Sequence, residues 1–257
     1  MTPSAILLDL DGTLYTDAGA IPGAVEALAE LRRRGVPFRF VTNTTRRSRR
    51  RLAERLASYG FAVEPAQVVT AVMSGVALLE ARGLRRVAAY VASETMEDFA
   101  RFDLEAARPE AVVIGDLGDA WDFATLNRAF HQLMDGADLL ALQRDRYWLR
   151  GDGLALDAGP FVAALEYATG KTATVCGKPS AAFYAAAVAS LPAEIAAAPG
   201  GVVMVGDDLW GDVDGAQRAG LTAWMVRTGK YREDVVAASG ITPDRVINSV
   251  ADLPELF

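Results

Sequence analysis

Short apolar runs recur along this chain, and stretches whose apolar residues have helical spacing separate them. Runs of this length and composition are typical of strands that are buried on both faces of a parallel sheet. The alternation of strand and helix therefore predicts an α/β protein with parallel sheets. The predicted strands are Ala5–Leu8, Pro37–Val41, Arg86–Val91, Ala111–Ile114, Leu139–Leu142, Ala173–Val175, Val202–Val205 and Ala223–Val226.

Composition limits the classes of function that this fold can serve. With 257 residues, 51% hydrophobic and 23% charged, the chain can bury a large core as one big domain or two modest ones. A net charge of −7 argues against nucleic acid or an anionic membrane as the main partner, because both attract basic surfaces. The single cysteine, Cys176, excludes an internal disulfide and a multi-cysteine zinc site, and it favours a cytoplasmic location. The first apolar run is broken at Asp9 and follows no basic segment, so no signal peptide is expected.

Polar residues follow four of the predicted strands at the point where each strand ends. The four segments are Asp9-Leu10-Asp11-Gly12-Thr13, Thr42-Asn43, Gly177-Lys178-Pro179-Ser180 and Gly206-Asp207-Asp208 with Asp212. The carboxyl ends of parallel strands lie along one edge of the sheet, where open α/β folds bind ligands, so we expect one pocket. Carboxylates gathered there require a cation or protonation to offset their repulsion. Oxygen donors without a His or Cys cluster indicate Mg²⁺.

This set of side chains suits phosphoryl transfer. Asp9 is placed to attack the phosphorus of a phosphoester, which gives an aspartyl-phosphate that water then hydrolyses. Asp11 is placed to protonate the leaving oxygen and then to deprotonate the water. Lys178 and Mg²⁺ would neutralise charge on the transferring oxygens, Thr42 would hold them, and Asp207 would ligate the metal.

The four segments resemble, in order and in position, the four motifs of the haloacid dehalogenase (HAD) superfamily. The resemblance spans nearly the whole chain and is closest to the subfamily with a C2-type cap. The segments 156–168 and 226–231 are similar to those of phospholysine phosphohistidine inorganic pyrophosphate phosphatases and NagD-like proteins. The resemblance implies a Rossmannoid core with a parallel sheet, formed by residues 1–70 and 175–257. It also implies an inserted α/β cap at residues 71–174, which would cover the pocket and mediate a homodimer.

The same resemblance implies a role for each site residue. Asp9 would be the nucleophile and Asp11 the acid/base, with Lys178 as the third catalytic group. Asp9, the backbone carbonyl of Asp11 and Asp207 would hold Mg²⁺, Asp212 would orient Lys178 or a metal-bound water, and Thr42, Asn43 and Lys178 would bind phosphate. Apart from the resemblance, we predict that substrate specificity in the cap depends on Asp145, Arg146 and Tyr147, in a loop at 143–148, and on the turn at 156–160.

Simpler interpretations of these residues remain open. Asp207 and Asp212 are also suited to the first turn of a helix, and a helix N-cap is our preferred interpretation of Asp208. Thr42 could also cap a helix, and Lys178 could be an ordinary solvated lysine. The arginines of 46–51 could form a solvated face of a helix.

The function also has open alternatives. A phosphotransferase or phosphomutase would use the same intermediate, and a non-enzymatic Mg²⁺-dependent module would bind a phosphorylated ligand without turnover. The expected substrate is a small phosphorylated metabolite, a phosphomonoester or a pyrophosphate or phosphoramidate, which the sequence does not name further.

Overall fold

The computed structural model describes residues 3–16, 18–150 and 153–257. In chain order the strands are β1 (Ala5–Asp9), β2 (Tyr15–Thr16), β3 (Gly19–Ala20), β4 (Phe38–Thr42), β5 (Val68–Thr70), β6 (Val87–Tyr90), β7 (Ala111–Ile114), β8 (Asp138–Ala141), β9 (Tyr147–Arg150), β10 (Gly153–Leu156), β11 (Thr174–Val175), β12 (Val202–Gly206), β13 (Thr222–Val226) and β14 (Arg245–Ile247). The helices are α1 (Ala24–Arg33), α2 (Arg49–Ser58), α3 (Ala71–Ala81), α4 (Phe123–Met134), α5 (Ala158–Thr169), α6 (Ala181–Ala189), α7 (Ala193–Ala196), α8 (Gly215–Arg218) and α9 (Glu233–Ser239). Over the residues described, no helix has both the length and the apolar character needed to cross a membrane.

The chain divides into two compact units. The first comprises the chain up to Thr42, Arg49–Val69 and Lys178–Phe257, and the second comprises Asn43–Ser48 and Thr70–Gly177. The second unit thus contains the range 71–174, where the sequence analysis placed an inserted cap, and adds the short segment 43–48.

A six-stranded sheet in the order β14-β13-β12-β1-β4-β5 forms the centre of the first unit. The strands β12, β4 and β13 run parallel to their neighbours, and β1 lies between β12 and β4 with all five of its residues buried. Alternate residues of β1 enter two different apolar cores: Ile6 and Leu8 pack with residues of α1 and α2, and Ala5 and Leu7 with residues of α6 and α8. Helices therefore cover both faces, which leaves the strand ends as the place where polar groups can collect.

The second unit repeats this architecture on a smaller scale. Its four-stranded parallel sheet has the order β11-β8-β7-β6, with α3 packed on one face and α4 and α5 on the other. A separate antiparallel pair, β9 and β10, forms a hairpin in this unit. The predicted α/β class with parallel sheets is confirmed.

Each of the eight predicted strands is present, with ends that shift by at most one residue. Two local interpretations were wrong. Thr42 is the last residue of β4 and α2 begins only at Arg49, so Thr42 does not cap a helix. Tyr147 is not in a loop, because it begins β9 and pairs with Leu156 of β10.

Candidate active site

Asp9 is the last residue of β1 and lies at the carboxyl edge of the large sheet. The register pairs it with Val41 of β4, one residue before Thr42, and the preceding Leu8 pairs with Val205 of β12, two residues before Asp207. All three polar residues are buried. The sheet therefore brings together side chains that are far apart in the sequence.

Lys178 joins two of the carboxylates. Its Nζ lies 2.5 Å from Asp9 Oδ1 and 2.6 Å from Asp212 Oδ1, and its side chain is only 6% exposed. Burial opposes its charge, but Asp212 and Asp9 hold the pKa of Lys178 well above its ordinary value. Lys178 is therefore an ammonium ion within the site, and the interpretation as a solvated lysine was wrong.

Asp212 lies in a π-helical turn, Leu209–Asp214, that follows β12. While its Oδ1 accepts from Lys178, its Oδ2 accepts from the backbone N–H of Asp208 at 3.0 Å. Asp208 itself caps the turn, since its Oδ1 accepts from the N–H groups of Trp210 and Gly211. The preferred interpretation of Asp208 as an N-cap is confirmed.

Asp207 is held by a backbone hydrogen bond from the turn that contains Lys230. Its Oδ2 accepts a 2.8 Å hydrogen bond from the backbone N–H of Lys230, in the turn that follows β13. The Lys230 Nζ lies 2.8 Å from Asp208 Oδ2, so this turn contacts two neighbouring carboxylates.

The carboxylates of the site have raised pKa values. Burial raises the pKa of Asp9 against the opposing effect of Lys178. Burial together with Asp9 and Asp212 raises the pKa of Asp207 to about 8, and burial raises that of Asp212 to about 7 although Lys178 lowers it. One oxygen from each of these three residues lies within 4.8 Å of the others, as a metal ion would require of its ligands. Oxygen donors alone fit a hard divalent cation.

Asp11 is exposed, in contrast to Asp9. Its carboxylate interacts with the hydroxyl of Tyr15, whose pKa is raised mainly by burial and further by Asp11. The Arg55 guanidinium lies 4.6 Å from the centre of the Tyr15 ring. Asp11 is therefore open to solvent whereas Asp9 is buried, and its acid/base role stays a prediction.

Asn43 and the three predicted specificity residues belong to the second unit. Asn43 packs beside Gly177, where a Cβ atom would lie 2.6 Å from Asn43 Oδ1. The backbone N–H of Asp145 donates to Gln143 Oε1, and its carbonyl accepts from the N–H of Gly159 at 3.0 Å. Arg146 and Tyr147 are exposed, and the backbone carbonyl of Arg146 accepts from the N–H of Asp157 at 3.2 Å. The roles assigned to these residues stay predictions.

Two residues at this edge received no role from the sequence. Lys230 lies in the segment 226–231, for which the sequence analysis stated a resemblance without giving Lys230 a role, and its position after β13 was a usable signal. Tyr184 of α6 is buried, and its hydroxyl donates to the carbonyl of Gly211 at 2.5 Å. Nothing in the sequence distinguishes this tyrosine from an ordinary core residue.

Comparison with known families gives two matches along the chain. Residues 6–105 match a family described as haloacid dehalogenase-like hydrolase, and residues 175–253 match one described as HAD-hydrolase-like.

Two curated relatives cover most of the chain. The Bos taurus haloacid dehalogenase-like hydrolase domain-containing protein 2 is 43% identical over 228 residues, which are 89% of this chain and 85% of the relative. The Homo sapiens phospholysine phosphohistidine inorganic pyrophosphate phosphatase is 36% identical over 259 residues, covering 98% of this chain and 93% of the relative.

Two solved structures share the fold over 98% of this chain. NagD from E. coli K-12 has a TM-score of 0.88 at 25% identity and is covered over 98% of its length. The glycerol phosphate phosphatase from Mycobacterium tuberculosis, solved in complex with calcium, has a TM-score of 0.84 at 31% identity and is covered over 74% of its length.

Proposed function

Since this chain belongs to the haloacid dehalogenase-like hydrolase family and is a phosphatase that hydrolyses phosphoric esters, we propose that it acts on a small phosphorylated metabolite through an aspartyl-phosphate on Asp9, with Mg²⁺ as its cofactor. The resemblance to HAD phosphatases, and to NagD-like proteins among them, is confirmed. Membership of this family decides against a non-enzymatic binding module. The metal, the intermediate and the class of substrate are parts of the proposal.

The observation that carries the proposal is the charge balance of the buried site. Asp9, Asp207 and Asp212 together with Lys178 leave two negative charges when all four are ionised, and all four residues are buried. A divalent cation offsets this excess, and Mg²⁺ prefers carboxylate oxygens. Asp9 and Asp207 would hold it with the backbone carbonyl of Asp11, while Asp212 remains bound to Lys178. When bound, the cation would draw charge from the phosphoryl oxygens.

Asp9 supplies the nucleophile in this mechanism. Its Oδ1 is bound to the Lys178 ammonium and its Oδ2 accepts from Thr13 Oγ1 at 3.4 Å, so the carboxylate is held in place at the edge of the sheet. Attack by a carboxylate oxygen forms the new P–O bond and breaks the bond to the leaving oxygen. Lys178 remains beside the reacting oxygens and neutralises part of their charge.

Asp11 supplies the proton and then accepts one. As a carboxylic acid it donates to the leaving oxygen, and as the resulting carboxylate it takes a proton from the water that attacks the aspartyl-phosphate. The second attack releases inorganic phosphate and restores Asp9.

Phosphate release from p-nitrophenyl phosphate tests this function. We expect turnover that chelation abolishes and Mg²⁺ restores, and that Asp9→Asn removes. Turnover by metal-free protein, or by Asp9→Asn, would contradict the proposal.

A good leaving group separates the two steps. Because p-nitrophenolate leaves without protonation, we expect Asp11→Asn to release a burst of one p-nitrophenolate per site and then to stall. The acid-quenched protein should carry one phosphoryl group on the peptide that contains Asp9. A burst without phosphorylated protein would exclude the intermediate.

The class of substrate is tested with a panel. Phosphomonoesters, inorganic pyrophosphate and a phosphoramidate should be compared at saturating Mg²⁺, with glycerol as an acceptor. A predominance of glycerol phosphate over inorganic phosphate would identify a phosphotransferase instead.

A further inference from the structure

The turn Thr228-Gly229-Lys230 lies against Asp207. Besides the hydrogen bond from the backbone N–H of Lys230 to Asp207 Oδ2, this turn presents Gly229 to the same oxygen. A Cβ atom at Gly229 would lie 2.0 Å from Asp207 Oδ2 and 2.7 Å from Gly12 Cα. The carboxylate of Asp207 therefore occupies the space that a side chain at position 229 would take.

Gly12 faces this turn from the other side. A Cβ atom at Gly12 would lie 2.1 Å from Asp207 Oδ2 and 3.0 Å from Gly229 Cα. Both glycines have positive φ, +78° for Gly12 and +62° for Gly229, which other residues adopt at a cost. The two backbones thus form a slot, which we call the glycine slot, around one oxygen of Asp207.

We propose that Gly229 and the amide of Lys230 are positioning elements for Asp207, fixing its carboxylate in the orientation that binds the divalent cation. The inference rests on the proposed function, because it takes Asp207 to be a metal ligand. Fixing Oδ2 by the slot and by the Lys230 N–H restricts rotation of the carboxylate, so its ligating geometry is set before the metal arrives.

The variant Gly229→Ala tests whether Gly229 positions Asp207 or only supports the fold in general. The new methyl group conflicts with Asp207 Oδ2 and with the backbone of Gly12, so the carboxylate must rotate away from the Lys230 amide. Lys178, Asp9 and Asp212 keep their contacts with each other. We expect metal affinity to fall by about 10- to 100-fold, the usual loss when the support of a metal ligand is removed.

The chain provides a matched control for the strain at positive φ. Gly240, at the end of α9, has φ +76° and open space where its Cβ would lie. Gly240→Ala therefore carries the same kind of backbone strain without a conflict at Asp207. It should bind metal as the wild type does.

Calorimetric titration with Mn²⁺, in the absence of substrate, is the first measurement. Weaker binding by Gly229→Ala than by wild type and Gly240→Ala supports the glycine slot. Equal binding by all three proteins overturns it, as does an equal loss in both variants. If wild type does not bind Mn²⁺, or Asp207→Asn binds it as tightly, the metal assignment of the proposed function fails first.

A double-mutant cycle on metal-free protein tests the slot without any metal. Removing the carboxylate with Asp207→Ala makes room for the methyl group, so Gly229→Ala should lower the melting temperature less in that background than in wild type. The comparison of the two losses of melting temperature needs no metal, so it remains informative if Gly229→Ala fails to bind metal because it is less stable. Equal losses in the two backgrounds would show that Asp207 does not fill the slot.

Discussion

Lys178 is the side chain on which the charge balance of the site depends. Its ammonium group contacts both Asp9 and Asp212, and all three side chains are buried. The arrangement is stabilising only as a set, because each carboxylate without a partner would bear the full cost of leaving water. Function and stability are therefore linked in this residue.

We predict that Lys178→Met lowers kcat on p-nitrophenyl phosphate by about 100-fold or more, the scale of loss when a preorganised charge at a transition state is removed. Lys178→Arg, which keeps the charge but not the compact ammonium, should also be strongly impaired while remaining folded. Lys171→Met is the control, because Lys171 Nζ donates to the carbonyl of Ala137 in the second unit. Activity of Lys178→Met within twofold of wild type would contradict the assignment.

The raised pKa of Asp207 makes the stability of the metal-free protein depend on pH in a stated direction. This pKa is raised from 3.8 to about 8 in the folded state, so between these values the folded protein binds more protons than the unfolded chain. Stability therefore falls as pH rises through this range. We predict that the melting temperature of metal-free protein decreases from pH 5 to pH 8, and that Asp207→Asn flattens this decrease.

Added Mg²⁺ provides the complementary measurement, because the proposed cation would bind the ionised carboxylates. Its stabilising effect should increase over the same pH range. A metal-free protein whose stability rises from pH 5 to pH 8, with the same slope in Asp207→Asn, would contradict the raised pKa.

Helix α6 connects two of the motif segments. It begins directly after Ser180, whose hydroxyl accepts from the N–H of Phe183, and Lys178 lies two residues earlier. From this helix the Tyr184 hydroxyl donates to the carbonyl of Gly211 in the π-helical turn that carries Asp212. The helix thus ties the segment of Lys178 to that of its partner Asp212.

We predict that Tyr184→Phe lowers the free energy of unfolding by about 1–2 kcal/mol, since it removes one buried hydrogen bond and leaves the carbonyl without this donor. Tyr167→Phe is the matched control, because Tyr167 of α5 is 94% exposed. Denaturant unfolding of the two variants beside wild type measures the difference. Equal stabilities would show that the hydroxyl does not hold the turn.

Strands and motifs were predictable from the sequence to different degrees. The fully buried strands β1, β7 and β12 follow from their unbroken apolar composition, and the polar residues that end β1 and β12 were placed at one edge of a sheet. The short strands β5 and β14 and the hairpin of β9 and β10 were missed, because three or four residues of mixed composition carry no period.

The parts of the site that were not predicted depend on backbone geometry. The hydrogen bond from the Lys230 N–H and the close approach of Gly12 and Gly229 involve no side chain whose type gives a signal. The sequence analysis assigned Asp9, Lys178 and Asp212 to one pocket on the ground that the strands before them share a sheet. That reason was wrong for Lys178, because β11, which precedes it, belongs to the four-stranded sheet and not to the sheet that contains β1 and β12.

Both units of the molecule place polar groups beyond the carboxyl ends of a parallel sheet. In the second unit β7 is followed by the buried Asp116, which accepts from Arg46 at 2.8 Å, and β8 by the buried Gln143. Gln143 in turn donates to Asp157, the N-cap of α5, whose pKa is raised to about 6 mainly by burial. The same principle of α/β architecture therefore accounts for the polar clusters in both units.

The homodimer implied by the family resemblance has a candidate surface in the second unit. Leu154 and Leu156 of β10 are 72% and 62% exposed and, two residues apart on one strand, point to the same side of the hairpin. Large apolar side chains exposed together are typical of an interface. Because each copy carries a net charge of −7, salt should strengthen contacts between copies by screening the repulsion.

We predict a dimer in sedimentation velocity at micromolar concentration, with a larger dimer fraction at higher ionic strength. Leu154→Glu should shift it to monomer, because the variant buries a charge in the contact while adding repulsion. Tyr167→Glu adds the same charge at an exposed position outside the hairpin and should leave the dimer intact. A monomeric wild type would exclude the homodimer, and dissociation by both variants would assign the effect to net charge instead of to the hairpin.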